Sequence, residues 1–216
     1  MTADLFDDLP PEQATSLIAP GALLLHGFAR DMDALLLNAL EAVVAQAPLR
    51  HLVTPGGHRM SVAMSNCGPL GWVSDASGYR YTQQDPLTGQ PWPAMPGLWR
   101  ALAERAAAKA GYVAFRPDAC LVNAYAPGSK LSLHQDKDEK DTAAPIVSVS
   151  LGLPAVFLFG TDQRQHKPQR LRLQHGDVVV WGGTSRLAFH GIAPLAEGTH
   201  ALLGRRRVNL TFRRAG

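Results

Sequence analysis

The order of helical and strand-like segments is the feature of this sequence that most constrains its fold. Helical periodicity lies before residue 111, whereas after Phe115 the sequence breaks into short apolar runs separated by turn residues. Strands that follow one another without helices between them disfavour a doubly wound parallel sheet and favour a sandwich or jelly roll. Eight strands are predicted, over Ala119–Tyr125, Lys130–His134, Ile146–Leu153, Ala155–Phe159, Leu171–Gln174, Val178–Trp181, Leu187–His190 and Val208–Phe212.

Two helices are predicted ahead of these strands. The first begins near Asp31 or Asp33, either of which can cap it, and its apolar residues recur every three or four positions until Pro48. The second runs from about Gly97 to Ala110. With 46% hydrophobic and 18% charged residues among 216, the chain has the composition of one globular domain. The predicted fold class is therefore mainly β with flanking helices (α+β).

The first 20 residues differ in character from the rest of the chain. They contain four acidic residues, three prolines and no Lys or Arg, so residues 1–20 are predicted to be a mobile acidic leader. Prolines interrupt the long apolar stretch over 143–160, and the acidic start is unlike a secretory signal. We therefore expect no membrane segment, a cytoplasmic location and, because no long apolar surface segment is evident, a monomer.

Positive charge is concentrated after the leader. The whole chain has a net charge of +3 and the leader has −4, which leaves +7 for residues 21–216. Basic clusters lie over 164–172 and 205–214. Such clusters suit ligands that carry phosphate or carboxylate groups, although a solvated basic surface without a partner explains them equally well.

A histidine and an aspartate in one predicted strand suggest a metal site. His134 and Asp136 are two positions apart, so in a strand their side chains point to the same face. The pair alone is weak evidence for a metal site, because a surface histidine beside an acidic residue is common. His190, about four strands later, is the candidate third ligand. Two histidines and one carboxylate leave open positions on Fe(II), and a catalytic zinc accepts the same ligands.

The last strand alternates between apolar and polar residues. In Arg207–Arg213 the odd positions are Arg, Asn, Thr and Arg, and an outward solvent face is the ordinary explanation. Alternatively, the two arginines hold the two carboxylates of a dianion through forked hydrogen bonds. Asn123 and Tyr125, also two positions apart in one strand, add polar groups that can reach a carboxylate.

The stretch between residues 54 and 96 combines many glycines and prolines with several aromatic side chains. It is too irregular for a core and too aromatic for a linker. Met60 and Met64 within it fit either a pliable cover over a substrate or filler in an irregular core. The tryptophans expected to pack in the core or in loops, outside any site, are Trp92, Trp99 and Trp181.

Four runs of sequence resemble the bacterial AlkB family of DNA-repair dioxygenases, which depend on alpha-ketoglutarate (2-oxoglutarate). These runs are Pro117–Gly128, Leu131–Glu139, Pro145–Gly152 and Asn209–Arg213. The similarity extends from about residue 20 to the end of the chain and includes Val53–Gly57 and Pro91–Pro96. It is specific, because it covers the metal motif, the C-terminal strand and the aromatic segment together.

The resemblance implies a fold, a domain organisation and a set of site residues. The fold is a double-stranded β-helix (jelly roll) of the 2-oxoglutarate/Fe(II) dioxygenase type. Residues 21–216 form a single catalytic domain, in which 50–96 is a nucleotide-recognition lid and 115–216 is the jelly-roll core. The implied catalytic residues and Fe(II) ligands are His134, Asp136 and His190. The implied 2-oxoglutarate contacts are Asn123, Tyr125, Arg207, Asn209 and Arg213, and the nucleotide contacts are Trp72, Tyr79, Tyr81, Asp138 and Arg164.

The resemblance also implies oxidative demethylation of 1-methyladenine and 3-methylcytosine in single-stranded DNA, with RNA or duplex DNA as alternative substrates. Fe(II), 2-oxoglutarate and O₂ are used, and formaldehyde, succinate and CO₂ are released. The flipped base would stack between Trp72 and His134, with Tyr79 and Tyr81 near the backbone. Asp138 would accept a hydrogen bond from the exocyclic amine and favour the cationic base.

Two other functions fit parts of the pattern. A 2-oxoglutarate dioxygenase that acts on a protein side chain or a small metabolite would keep the same iron and dianion residues. In that enzyme, however, Trp72, Tyr79 and Asp138 would have no base to hold. A non-catalytic jelly-roll module would use the basic face to bind nucleic acid, which the complete set of three metal ligands opposes.

Overall fold

The structure, a computed structural model, describes residues 14–216. This part of the chain contains helices α1 (Asp33–Gln46) and α2 (Gly97–Lys109), neither of which is long and apolar enough to cross a lipid bilayer. The strands in the first half are β1 (Thr15–Ala19), β2 (Ala22–Leu25), β3 (Arg50–Val53), β4 (Arg59–Cys67), β5 (Gly71–Asp75) and β6 (Gly78–Thr82). Those in the second half are β7 (Ala119–Tyr125), β8 (Leu131–His134), β9 (Ile146–Gly152), β10 (Ala155–Phe159), β11 (Gln169–Leu173), β12 (Val178–Trp181), β13 (His190–Ile192) and β14 (Arg207–Arg213).

The strands form two stacked sheets and a separate hairpin. The larger sheet has eight strands in the order β1-β2-β12-β9-β14-β7-β4-β3, and the smaller has four in the order β11-β10-β13-β8. Strands β5 and β6 form a two-stranded hairpin of their own. The pairings in both sheets are antiparallel.

The larger sheet is covered on both faces. Alternation along β12 shows this, because Val178 and Val180 belong to the apolar cluster beneath α1 and α2, whereas Val179 and Trp181 belong to the cluster between the two sheets. All four side chains are buried. A strand that is buried on both faces is a continuous apolar run, as its sequence is. The architecture is the one predicted, mainly β with flanking helices.

Most predicted helices and strands agree with the structure to within two residues at each end. The strand predicted over Leu187–His190 is wrong, because β13 begins at His190. A short 3-10 turn, Gly183–Ser185, precedes it, and the Ala188 N–H donates to the Ser185 carbonyl. The backbone just before Phe189 therefore forms a turn, whereas Phe189 itself already exchanges hydrogen bonds with the backbone of Gly160 and Thr161.

The segment 50–96 contains more regular structure than the sequence suggested. Strands β3 and β4 join the larger sheet, where β4 pairs with β7, and only β5 and β6 form a separate hairpin. Within β4, Val62 and Met64 are buried two positions apart, which is the alternation of a strand with one face in the core. The surrounding glycines and prolines obscured that alternation. Met64 is thus a core residue.

The predicted leader over 1–20 extends too far. Residues 1–13 lie outside the described residues, but Thr15–Ala19 form β1, which pairs with β2. Ile18 is buried, and Gly21, with φ of +79°, makes the tight turn between the two strands. Pro20 therefore lies in a hairpin turn and does not mark the end of a leader.

Gly191 allows β8 and β13 to approach each other at the predicted metal site. A Cβ on Gly191 would lie 2.5 Å from the Leu131 carbonyl oxygen and 3.1 Å from that of Ser132, and backbone atoms cannot rotate away. We expect Gly191→Ala to lower the free energy of unfolding by about 1–3 kcal/mol in urea denaturation. The control, Gly97→Ala, meets nothing within 4 Å and should be at least as stable as the natural chain. Equal stability of the two variants would contradict the close approach.

Candidate active site

The three predicted metal ligands meet where β8 and β13 pair. His134 ends β8, His190 begins β13, and the two are directly opposed in the antiparallel register. The Asp136 carboxylate lies 3.6 Å from His134 Nε2 and 3.8 Å from His190 Nε2. All three residues offer ligand atoms within 4.8 Å of one another. The fold therefore brings together residues that are more than fifty positions apart in sequence.

Backbone carbonyl groups orient both imidazoles. Nδ1 of His134 lies 2.9 Å from the Ser132 oxygen, and Nδ1 of His190 lies 3.0 Å from the Ala188 oxygen. A carbonyl oxygen only accepts hydrogen bonds, so each Nδ1 carries the proton and each Nε2 has a free lone pair. Metal-binding histidines commonly make this contact through their second ring nitrogen. Both lone pairs are directed to the same side as the Asp136 carboxylate.

The surrounding charges favour metal binding at neutral pH. Burial alone would raise the pKa of Asp136, but Arg213 and the two histidines hold it below its ordinary value. Arg213 donates to one Asp136 oxygen from two nitrogens, at 2.8 and 2.6 Å. Burial, followed by the charge of His134, lowers the pKa of His190 to about 4. An ionised carboxylate beside a neutral imidazole is the donor set that fits Fe(II).

Glu139 and Arg186, which the sequence did not single out, complete a buried charge network behind the metal triad. The Glu139 carboxylate accepts from Arg186 at 3.0 Å and lies 3.3 Å from Arg213 Nε. Arg186 also donates to the backbone oxygen of Asp136 at 2.7 Å. The side chains of Glu139 and Arg186 are only 2% and 3% exposed. Charged residues in loops are usually solvated, so the sequence carried little signal for this network.

The predicted 2-oxoglutarate residues lie on two neighbouring strands of the larger sheet. Strands β7 and β14 pair so that Tyr125 is opposite Arg207 and Asn123 is opposite Asn209. Arg207 is only 1% exposed, and its guanidinium carbon lies 4.9 Å from the centre of the Tyr125 ring. The polar face of β14 is therefore buried, and the solvent-facing alternative is wrong.

Arg207 has unused hydrogen-bonding capacity. Within the described residues, its Nε and one terminal nitrogen have no partner, and Oδ1 of Asn123 has none either. The other terminal nitrogen donates to the Ser150 hydroxyl at 3.0 Å. Burial lowers the pKa of Arg207, because an unpaired cation is costly in this environment. A carboxylate that accepts from the free terminal nitrogen and from the second N–H of the other terminal nitrogen would be held in a forked geometry, so these residues fit one end of 2-oxoglutarate.

Asn209 and Arg213 are already engaged in the structure. Asn209 donates to the Ser148 hydroxyl at 2.7 Å, and Arg213 is paired with Asp136 and Glu139. Both still line the same cavity as Arg207. A second carboxylate would therefore have to share Arg213 with Asp136.

All thirteen predicted site residues line one cavity of about 830 Å³, called here the metal cavity. The β5–β6 hairpin supplies its aromatic wall, since Trp72 on β5 pairs with Tyr81 on β6 and Tyr79 follows on the same face. The Trp72 and Tyr79 rings are stacked, with centres 5.6 Å apart and planes 11° from parallel. The Trp72 indole N–H donates to Asp138 at 2.8 Å. An aromatic surface and a carboxylate thus lie side by side on the cavity wall.

Other side chains fill the remaining wall. The Arg164 guanidinium donates to the Leu133 carbonyl at 2.8 Å and lies 5.6 Å from the centre of the Phe189 ring. Trp92 and Trp99 are buried away from this cavity, as predicted. Trp181 is buried too, but it also lines the cavity, with its ring centre 4.9 Å from that of His190. The prediction that Trp181 packs in the core is confirmed, because the residue is only 1% exposed.

Comparison with known proteins identifies the family. The model of the 2OG-Fe(II) oxygenase superfamily matches residues 21–213, and the chain belongs to this family. It is similar to two curated proteins named alpha-ketoglutarate-dependent dioxygenase AlkB. The protein from Salmonella typhimurium is 57% identical over 212 residues, covering 98% of this chain and 97% of the relative. The protein from Escherichia coli is 57% identical over 213 residues, covering 99% and 98%.

More distant relatives agree with this assignment. A tRNA demethylase, abh1 of Schizosaccharomyces pombe, is 34% identical over 157 residues, covering 67% of this chain and 52% of the relative. A solved structure titled as that of OsALKBH1 aligns with a TM-score of 0.81 at 28% identity, covering 93% of this chain and all of the other. The predicted family, jelly-roll fold and enzyme class are confirmed. The chain is a dioxygenase that uses Fe(II), 2-oxoglutarate and O₂, whereas the roles of individual residues stay predictions.

Removal of the Asp136 carboxylate should abolish metal-dependent turnover. We expect Asp136→Ala to lose 2-oxoglutarate turnover and to weaken Co(II) binding, followed by absorbance, by at least about tenfold. Removal of one partner from a buried ion pair usually lowers the free energy of unfolding by about 3–5 kcal/mol. The loss should be smaller here, because Arg213 keeps Glu139 as a partner. His166→Ala, at an exposed histidine outside the cavity, is the control. Unchanged Co(II) affinity in Asp136→Ala would remove the metal assignment.

The two parallel hydrogen bonds that the Arg207 guanidinium can donate should matter more for 2-oxoglutarate affinity than its positive charge does. Since lysine cannot donate two parallel hydrogen bonds, we expect Arg207→Lys to raise the dissociation constant for 2-oxoglutarate by about tenfold or more. Calorimetric titration of protein loaded with Mn(II) in place of Fe(II) measures this. The matched control is Arg206→Lys, at the exposed neighbouring arginine. The same dissociation constant for 2-oxoglutarate in both variants would refute a role for the paired hydrogen bonds of Arg207.

Proposed function

We propose that this dioxygenase repairs alkylated single-stranded DNA by oxidative demethylation of bases such as 1-methyladenine and 3-methylcytosine. The observation that carries the proposal is the contact between Trp72 and Asp138 on the wall of the metal cavity. A flat ring holds a base by stacking, and a carboxylate favours the positive charge that such methylation creates. The names of the relatives, among them AlkB and a DNA N(6)-methyladenine demethylase, agree with a nucleic-acid substrate.

Each group on the cavity wall has a task in this mechanism. His134, Asp136 and His190 would hold Fe(II), and Arg207 with Tyr125 would bind one carboxylate of 2-oxoglutarate. Burial raises the pKa of Tyr125, so its hydroxyl stays protonated and can donate. Fe(II), 2-oxoglutarate and O₂, when bound, would together supply the oxidising chemistry: one oxygen atom of O₂ enters the hydroxymethyl group, and the other enters succinate as CO₂ is lost. The hydroxymethylated base then releases formaldehyde.

Stacking and charge orient the damaged base. Trp72, held by Asp138, would stack against one face of the base, with His134 on the other side. One oxygen of Asp138 accepts from the Trp72 indole, which leaves the second oxygen for the exocyclic amine of the base. The carboxylate also stabilises the cationic form of the methylated base.

A single-stranded substrate follows from the depth of the metal site. The side chains of Asp136 and His190 are only 9% and 7% exposed, so a methyl group can reach them only inside the cavity. A base within a duplex must leave its stack and its partner before it enters, which costs a few kcal/mol. In single strands most of this cost is absent. Duplex DNA is therefore a slower substrate in this proposal, and single-stranded RNA stays an alternative substrate.

We also propose that the enzyme acts as a monomer in the cytoplasm. All thirteen predicted site residues come from one chain and line one cavity, so no second subunit is needed to complete the site. A cytoplasmic location fits a DNA substrate.

Anaerobic reconstitution tests the proposed reaction directly. Protein loaded with Fe(II) and 2-oxoglutarate is mixed with air and a short single-stranded oligonucleotide that carries one 1-methyladenine, and the product is analysed by mass spectrometry. We expect loss of one methyl group only when both Fe(II) and 2-oxoglutarate are present, and a slower reaction with the matched duplex. Succinate formation without loss of the methyl group would reject the proposed substrate and keep the dioxygenase class.

Variants of Asp138 separate its charge from its hydrogen bond. Asp138→Asn keeps a carbonyl oxygen for the Trp72 indole but loses the negative charge, so demethylation of 1-methyladenine should fall by about tenfold or more in kcat/KM. In Asp138→Ala this kcat/KM should decrease further, because the Trp72 indole also loses its hydrogen-bond acceptor. Uncoupled 2-oxoglutarate decarboxylation should persist in both. Asp31→Asn, at an exposed aspartate outside the cavity, is the matched control. Equal loss of demethylation and decarboxylation would mean that Asp138 does not bind the substrate.

A further inference from the structure

A second cavity, of about 330 Å³, lies on the outer side of the β5–β6 hairpin. We call it the flanking groove. Leu70 and Ala215 give it an apolar floor, and Arg80 and Lys140 bring positive charge. Tyr79, Tyr81 and Asp138 complete the lining, and these three also line the metal cavity. The two cavities are therefore neighbours that share one wall.

Tyr79 connects the two cavities through an aromatic stack. One face of its ring lies against Trp72, which lines only the metal cavity. Despite this contact, Tyr79 as a whole is 48% exposed. Among the described residues, no group hydrogen-bonds to the Tyr79 hydroxyl. A base stacked on Trp72 and a second base against the open side of Tyr79 would thus lie along one continuous stack.

Lys140 supplies a free cation at the edge of the flanking groove. Its backbone N–H donates to the Ala215 carbonyl at 3.1 Å, which fixes the position of its main chain. In residues 14–216 no acceptor or acidic side chain pairs with the Lys140 ammonium, and the residue is exposed. Arg80, by contrast, is already paired with Asp75 through two hydrogen bonds, at 2.8 and 2.7 Å. The available positive charge in the groove is therefore that of Lys140.

We propose that the flanking groove binds the nucleotide next to the damaged one, with a phosphodiester group against Lys140 and the base against the open side of Tyr79. This inference rests on the proposed function, because it extends the same single strand beyond the metal cavity. Sites for single-stranded nucleic acid combine cations that follow the backbone with aromatic rings that stack bases of any sequence. Tyr79 offers the ring and a free hydroxyl, and Lys140 offers the charge. The groove thus gives affinity for a strand without reading its sequence.

The test measures binding and does not require turnover. Protein loaded with Mn(II) and 2-oxoglutarate is titrated with a fluorescent single-stranded pentanucleotide that has 1-methyladenine at its centre, and separately with the 1-methyladenine mononucleotide. Leu70→Trp fills the groove and should weaken pentanucleotide binding by at least about fivefold, the equivalent of one lost stacked base. Leu87→Trp, at a 75% exposed leucine of another loop, is the matched control.

Lys140→Gln tests the phosphate contact. We expect a loss of about three- to fivefold in pentanucleotide affinity, as for an exposed ionic contact, and a decrease of about 0.7 in the slope of log affinity against log salt concentration. Lys109→Gln, at an exposed lysine that ends α2, should change neither quantity. In both groove variants the losses should occur with the pentanucleotide and not with the mononucleotide.

The outcomes separate this inference from the proposed function. Equal losses with mononucleotide and pentanucleotide, or no loss with either, would overturn the flanking groove while the demethylation reaction still stood. A protein that binds neither substrate would overturn both. A fluorescent base analogue, 2-aminopurine, placed on each side of the damaged base in turn, should be quenched on one side only. That quenching should be lost in Leu70→Trp.

Discussion

The ion pair between Asp136 and Arg213 is the interaction on which the candidate site depends most. A carboxylate in the space between two sheets is costly unless a cation compensates it, and Arg213 does so at 2.6 Å. Arg213 ends β14, which is paired on both sides, to β9 and to β7, so the cation is firmly placed. Asp136 follows β8 in the opposite sheet. The pair therefore ties the two sheets together where the metal ligands meet.

Glu139 extends this charge network to the β5–β6 hairpin. Its carboxylate accepts from the Tyr81 hydroxyl at 2.6 Å and, on the other side, lies against Arg186 and Arg213. Moving Tyr81 away would leave a buried carboxylate with one bond fewer, at a cost of about 1–3 kcal/mol. Tyr79, two residues earlier on the same strand, has no such anchor and is half exposed. One tyrosine thus fixes the hairpin, and the other is free to meet a ligand.

The sequence was sufficient for the two helices, for most strands after Phe115 and for the residues that gather at the site, but not for β1 to β6 or for the surroundings of the site. His134 and Asp136 were predictable because strand geometry puts residues two apart on one face. Whether the polar face of β14 meets solvent or a cavity could not be predicted, because the alternation of apolar and polar residues is the same in both cases. Only its pairing with β7, which brings Arg207 opposite Tyr125, decides this. Glu139 and Arg186 escaped notice because their burial depends on contacts between distant loops.

In the proposed function, preference for a damaged base over an intact one originates in the contact between Trp72 and Asp138. The indole N–H occupies one carboxylate oxygen and thereby orients the other, which no described residue holds. An intact adenine or cytosine offers that oxygen only a neutral amine. A methylated base offers an amine that shares a positive charge, so the carboxylate attracts it by opposite charge in addition to the hydrogen bond. Stacking on Trp72 and against Tyr79 is indifferent to methylation, because every base has a flat face. In this proposal the aromatic wall therefore gives affinity for any strand, and the carboxylate of Asp138 discriminates between bases.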